Sequence, residues 1–270
     1  MQCTSTEQKE ETEQEQRPTN PALTQVWKTD TILTGSESAL VHNNTIFVSN
    51  GNTNGTAKDG DGFLSKLNVD GSVKELKWVE GLNAPKGMAI IGGNLYVSDI
   101  DELVTVNLSS GTIENRMAVE GAVFLNDVAT NGTDLFVSDT RTGIVYQSDG
   151  ETYSEFATGV TDINGLAYSN NRMYGLNKEG LIAFTNEGGY KVLNTEVTGG
   201  DGLVILNDTT FVASRWAGQV YFISGNETTL LLNTEEEESN TADIGFIEED
   251  STVLVPTFLK NEVVAYKLTK

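Results

Sequence analysis

Six polar residues stand at equivalent places in a recurring segment of the chain: Glu37, Lys86, Asn126, Asn164, Asp201 and Asp243. Each precedes a short stretch of small or apolar residues, as in Glu37-Ser38-Ala39-Leu40, Lys86-Gly87-Met88-Ala89 and Asp201-Gly202-Leu203-Val204. Brought round one axis, they would form a ring rich in side-chain oxygen. Hard cations such as Ca²⁺, Mg²⁺ and Mn²⁺ take carboxylate and amide carbonyl ligands. The same row also suits a wet channel mouth, where polar side chains do no more than meet water. Lys86 opens a third reading: its ammonium could hold a ligand, or pair with Glu37 or Asp243 and stand in place of a cation.

The rest of the chain removes other chemistries. A single cysteine, Cys3, and a single histidine, His42, leave no intrachain disulfide and no Cys/His zinc site. A Ser-His-Asp triad would have to use His42, and no G-x-S-x-G elbow accompanies it. His42 lies in Val41-His42-Asn43-Asn44, which reads as an exposed turn between strands. No Gly-Lys pair occurs, so there is no phosphate-binding P-loop. Lys plus Arg is 17 against 39 Asp plus Glu, a net charge of −22. That field repels nucleic acid and anionic lipid and favours cations and neutral or cationic ligands. No apolar run reaches the ~18–20 residues a membrane helix needs.

The elements that must position the polar row follow from its repeat. Six positions beyond the fourth residue of each unit, a second apolar strand begins: Ile46-Phe47-Val48, Leu95-Tyr96-Val97, Leu135-Phe136-Val137, Met173-Tyr174-Gly175, Thr210-Phe211-Val212 and Thr252-Val253-Leu254. Turn residues such as Asn43-Asn44, Gly92-Gly93-Asn94 and Asn170-Asn171 separate the two strands and tolerate positive φ. A third strand comes next, for example Leu103–Leu108 or Gln219–Ile223, and often a more polar fourth, as in Val73–Leu76. Unit starts are 49, 40, 38, 37 and 42 residues apart. Four short strands in each unit of about 40 residues is the arithmetic of a propeller blade. The expectation is therefore an all-β, six-bladed β-propeller over residues 23–270. Leu23–Lys28 is expected to be the outer strand of the last blade, closing the ring and removing free sheet edges. A β-sandwich would not demand this register.

Residues 1–22 are polar, poor in apolar side chains and end in two prolines, so a disordered acidic tail is expected there. Cys3, succeeded by small polar residues and then charge, has the look of a mature bacterial lipoprotein with a lipidated cysteine. On that reading the protein is exported, periplasmic or membrane-anchored through its lipid; the alternative is a cytoplasmic protein with a ragged tail. Asp59-Gly60-Asp61-Gly62 lacks the ligand spacing of an EF-hand and reads as a Gly-rich hairpin. Residues 50–62 are long for a hairpin loop and could cover the channel mouth. Glu235–Glu238 reads as a solvated charged loop.

The row of polar residues, with Asn126-Asp127-Val128, Asn164-Gly165-Leu166 and Asp201-Gly202-Leu203 in successive units, resembles the gluconolactonase, regucalcin (senescence marker protein) and luciferin-regenerating-enzyme family. The resemblance implies one divalent cation at the channel mouth, calcium first, with zinc, manganese or magnesium as alternatives. It implies Glu37, Asn164 and Asp201 as metal ligands, Asp201 also as catalytic base, and Asn126 beside the substrate. The activity implied is metal-dependent hydrolysis of a small-molecule lactone or ester by a monomer. Ser36-Glu37-Ser38-Ala39 stands where the family has Pro-Glu-Gly-Pro, and Phe124 stands where lactonases place a substrate-holding Arg. Phe124 points to a less polar ligand, or else packs beneath a loop. Lys86, Phe124 and Arg215, the last in an Arg215-Trp216 stacking pair, are the further substrate-binding candidates. The rival function is a non-catalytic propeller lipoprotein that binds a small ligand or a protein on the same face.

Overall fold

The structure, a computed structural model, describes residues 20–51 and 55–270. Cys3, most of the expected tail and residues 52–54 of the expected mouth-covering loop lie outside the described residues. The chain forms six four-stranded antiparallel sheets, each from strands consecutive in sequence except the last. This is the expected all-β, six-bladed propeller. The innermost strands are Ser36–His42, Pro85–Ile91, Leu125–Thr130, Leu166–Ser169, Leu203–Asn207 and Gly245–Ile247. Their hairpin partners are Thr45–Asn50, Asn94–Asp99, Leu135–Asp139, Arg172–Asn177, Thr210–Arg215 and Thr252–Thr257. The turns between them carry the anticipated positive φ: 46° and 57° at Asn43 and Asn44, 49° and 57° at Asn170 and Asn171. His42 ends the first of these strands, half-buried, with a ring nitrogen 2.8 Å from Asn43 Nδ2.

Ring closure matches the sequence expectation. Ala22–Lys28 pairs antiparallel with Glu262–Thr269, from Ala22 opposite Thr269 to Lys28 opposite Val264. The last blade is thus built from both ends of the described chain, which closes the ring and gives all six blades four strands. The strand also adds Trp27 to the core between the first and last blades, against residues such as Leu33, Ile46 and Leu254.

The core sits between blades rather than within one. Ile46 and Val48 face the last blade, whereas Phe47, between them in sequence, packs with Leu95, Val97 and Val104 of the second. A strand with two buried faces has the two-residue side-chain period but apolar residues on both sides. That is why Ile-Phe-Val and Leu-Tyr-Val triplets mark the second strand of each unit.

Close approach of neighbouring innermost strands explains the glycine just after the ring residue in three blades. A Cβ on Gly165 would lie 2.2 Å from the Asp201 carbonyl oxygen, and one on Gly202 would lie 2.2 Å from the Ile244 amide nitrogen. Backbone cannot swing aside as a flexible side chain can. Gly165→Ala is therefore expected to lower stability by about 3 kcal/mol, read from the urea unfolding midpoint. A loss below about 0.5 kcal/mol would contradict this packing.

Candidate functional site

Two of the ring residues are delivered by short hydrogen-bonded braces. In the second blade Asp99, fully buried, accepts from the amides of Asn83 (2.8 Å) and Ala84 (2.7 Å), fixing the loop that leads into Lys86. In the third, Asp139 accepts from the amides of Val123 (2.6 Å) and Phe124 (3.2 Å), just ahead of Asn126. The preceding serines tie blade to blade. Ser138 Oγ accepts from the Asp127 amide (3.0 Å) and donates to the Asn164 carbonyl (2.8 Å). Ser214 Oγ accepts from the Gly202 amide (2.8 Å) and donates to the Ala242 carbonyl (2.7 Å). The apolar repeat singles out the valines of these strands but not the polar pair beyond each valine. Val97-Ser98-Asp99 and Val137-Ser138-Asp139 are the signal that would have identified the braces.

Five of the six ring residues, Glu37, Lys86, Asn126, Asn164 and Asp201, line one cavity of about 320 Å³. Phe124, Trp216 and Phe258 form aromatic walls, and Gly55 and Thr56 of the long first-blade loop reach its rim. Asp243 does not line it; its carboxylate accepts from Ser38 Oγ on the innermost strand of the first blade. Arg215 does not line it either. Its Nη1 lies 3.5 Å from Tyr221 Oη, while Trp216 alone turns into the mouth and packs on Phe258 with centroids 5.4 Å apart. Consecutive side chains at a strand end point to opposite faces, so the expected stacking pair is split.

Lys86 is buried. Its Nζ donates to the carbonyls of Gly55 (2.9 Å) and Ala84 (3.2 Å) and sits 4.7 Å from the Phe124 ring centroid. Among the described residues it forms no ion pair, so direct pairing with Glu37 or Asp243 is not what holds it. Arg141, which no pattern in the sequence singles out, places its guanidinium 4.9 Å from the same ring. Phe124 is therefore a contact for two cations rather than packing beneath a loop.

Electrostatically the channel is crowded with acid. Burial, and then the charges of Asp201 and Asp127 against the opposing pull of Lys86, raises the Glu37 carboxyl to about 8. Burial and Asp127 raise Asp201 to about 7, against the Asn164 hydrogen bond and Lys86. Burial raises Asp127 to about 6, although the amides of Leu166 and Val128 favour its charged form. Asp243 is pushed well up by burial, with Asp127 and Glu37 adding to it. Burial pulls Lys86 down, opposed by Glu37, Asp99 and Asp201. Asp127 is a second residue to which sequence reasoning assigns no role. It stands where other blades have the close-packed glycine, and its carboxylate spans to the next blade.

Two acceptors in this crowd have no donor. Glu37 Oε2 and Asn164 Oδ1 are buried without a hydrogen-bond partner, while Asn164 Nδ2 donates to Asp201 Oδ1 at 2.9 Å. Buried polar atoms in native proteins are nearly always paired, so these two call for a partner. Among the described residues no group of three or more His, Cys, Asp and Glu side chains is arranged to hold a metal ion. The candidate set is instead two carboxylates and an amide. Its unpaired oxygens fit the chemistry of a hard cation.

No protein-family model and no curated protein sequence matches the chain. Solved structures do. A streptogramin B lyase is 11% identical with a TM-score of 0.65, the match covering 93% of this chain and 98% of that one. A catalytically inactive variant of virginiamycin B lyase from Staphylococcus aureus, with quinupristin, is 11% identical with a TM-score of 0.63, covering 93% and 99%. That variant replaces a histidine by alanine, whereas the one histidine of this chain, His42, ends the innermost strand of the first blade and does not line the mouth. A chain in a nidogen/laminin complex is 12% identical with a TM-score of 0.59, covering 70% of this chain and 76% of that one. At such identity the likeness is one of architecture: the chain has the β-propeller fold of these lyases, in six blades closed by its own first strand.

Proposed function

We propose that the channel mouth is a cation-assisted hydrolytic site for a small lactone or ester. The observation that carries the reading is the pair of buried, unpartnered acceptors, Glu37 Oε2 and Asn164 Oδ1, beside Asp201. These three residues would hold the cation, calcium first, with zinc, manganese or magnesium as alternatives. When bound, it supplies Lewis-acid polarisation of a carbonyl and offsets the carboxylate charge. The chain's own residues do the rest. Asp201, raised to about 7, is poised to take a proton from water near neutral pH. Lys86, anchored on two backbone carbonyls, has a donor left for a substrate carbonyl oxygen. Asn126, with Nδ2 held by Thr140 Oγ1 at 3.2 Å, keeps its amide oxygen for a substrate hydrogen-bond donor. Phe124, Trp216 and Phe258 exclude water from the bound molecule. In the same proposal the protein is exported and carried on a lipid at Cys3.

A second reading, binding without turnover, is favoured by one observation. Phe124, in contact with both Lys86 and Arg141, occupies the place of a substrate-holding arginine. The two readings separate in one experiment on chelator-stripped protein. Thermal unfolding is monitored with Ca²⁺, Mn²⁺, Zn²⁺ and Mg²⁺, and lactone hydrolysis by pH-stat. At a cation concentration 100-fold above Kd, stabilisation of about 2.7 kcal/mol is expected. Asp201→Asn should abolish most of that shift and lower hydrolysis by about 100-fold or more. Absence of any cation response in the parent chain removes the hydrolytic reading. A response without turnover leaves binding alone.

A further inference from the structure

The mouth has two chemically distinct halves. Its floor carries Glu37, Asn164 and Asp201, and its walls are aromatic. The walls are open to solvent on one side: Trp216 is 43% exposed. Isolated exposed apolar side chains are ordinary, but an exposed tryptophan set in the aromatic wall of a concave site marks what the site binds. The walls come from three different blades: Phe124 from the loop into the third, Trp216 from the fifth and Phe258 from the sixth. No single stretch of sequence produces them.

The charged groups of the mouth, Glu37, Lys86 and Asp201, are buried. Lys86 Nζ stands between the Gly55 carbonyl and the Phe124 ring, and Gly55 in turn lies against Phe258. A polyhydroxylated lactone seated here would press hydroxyls against Phe124 and Phe258 with no partner, at the cost of their desolvation. A molecule with an apolar body and one carbonyl group would lose no such bonds. Its body would cover Trp216 and Phe258 while its carbonyl oxygen faced the Lys86 ammonium. A further cavity, about 380 Å³ between the fifth and sixth blades, has no aromatic wall residue but Tyr266 and is ringed by Gln25, Lys28, Glu237 and Glu262.

We infer that the ligand of this site is an amphipathic lactone or ester with an alkyl or aryl body, not a sugar lactone. The inference rests on the reading of the mouth as a hydrolytic site and names its substrate class. It is tested on the full chain with δ-decalactone, dihydrocoumarin and D-glucono-δ-lactone, by calorimetric binding and by hydrolysis. The two apolar lactones should bind at least about tenfold more tightly than the sugar lactone. Trp216→Ala should weaken their binding about tenfold and Trp216→Phe should restore most of it, because what is lost is aromatic contact area. Neither variant should alter the thermal shift produced by Ca²⁺, which reports on the floor alone and shows that the variant is folded. Tighter binding or faster hydrolysis of the sugar lactone would overturn the inference while leaving the hydrolytic reading intact. Apolar lactones that bind in a Trp216-dependent way without being hydrolysed would support the ligand class and remove the hydrolase. Binding of none of the three overturns the inference.

Discussion

Chelator-stripped protein should lose stability as the pH rises from about 5 to about 8.5, the reverse of ordinary acid denaturation. Glu37, Asp201 and Asp127 reach about 8, about 7 and about 6 in the fold, and Asp243 is also raised. Burial is the largest cause for each. Between the unfolded value of a carboxyl and its higher folded value, the native state holds more protons than the unfolded chain. Stability is therefore greatest below the unfolded values and declines as the pH climbs through the folded ones. Lys86, pulled down by burial, acts in the opposite sense and offsets part of the loss at the alkaline end. One pKa unit corresponds to about 1.4 kcal/mol, so the carboxyls together should cost about 3 kcal/mol or more across the window. The surface carboxylates, paired or solvated, do not reverse the sign, because those with a resolved shift, Asp70 and Asp149, are lowered and titrate below this range. On the proposed cation site, saturating Ca²⁺ should flatten the profile, since a bound cation would favour the ionised forms that the bare channel penalises. Urea midpoints at pH 5, 6.5 and 8.5, with chelator and with Ca²⁺, provide the check. A chelator profile that is level or rises through this range would mean that the four carboxyls are not confined together as described.

Asp127→Ala should cost about 3–5 kcal/mol at pH 6, the largest effect expected of any single side chain in the channel. The carboxylate accepts from the Val128 amide through Oδ1 and from the Leu166 amide through Oδ2, both at 2.6 Å. The second bond crosses from the third blade to the fourth. Alanine would leave two buried amides unsatisfied, at about 1–3 kcal/mol each, and would remove charge-assisted bonds as well. The same substitution relieves Glu37, Asp201 and Asp243, all of which feel the Asp127 charge. The penalty should therefore shrink by pH 8.5, where the channel carboxyls are ionised. Measured at the two pH values, a penalty that stays constant would show that Asp127 acts only as a hydrogen-bond bridge. A penalty under about 1 kcal/mol at pH 6 would show that it does not bridge the blades at all.

Much of this architecture was legible from pattern because propeller blades are local. A four-stranded meander is held by hairpins, so its strands, turns and repeat distance all lie within one contiguous segment. The ring residues were legible for the same reason. Each stands at or just before the start of an innermost strand, and the ring then brings five of the six to the mouth. Even the long-range closure by Ala22–Lys28 came from counting, because a final blade short of a strand needs one from elsewhere. The braces were visible but unread: the serine and aspartate after Val97 and after Val137 look like ordinary strand ends until the amides they hold are known.

Sequence alone therefore determined the fold, the ring of Glu37, Lys86, Asn126, Asn164, Asp201 and Asp243, and the acidic character of the channel. Tertiary structure decided how that ring is divided. It turned Asp243 toward Ser38 and away from the mouth, and set Lys86 on two carbonyls instead of a carboxylate. It brought Arg141 to Phe124, and Phe258 of the last blade to Trp216 of the fifth. The physical reason is distance along the chain. Contacts within a blade are imposed by hairpin register, over a few residues. Contacts between loops of different blades depend on how six sheets pack face to face, and no local period of the sequence encodes that.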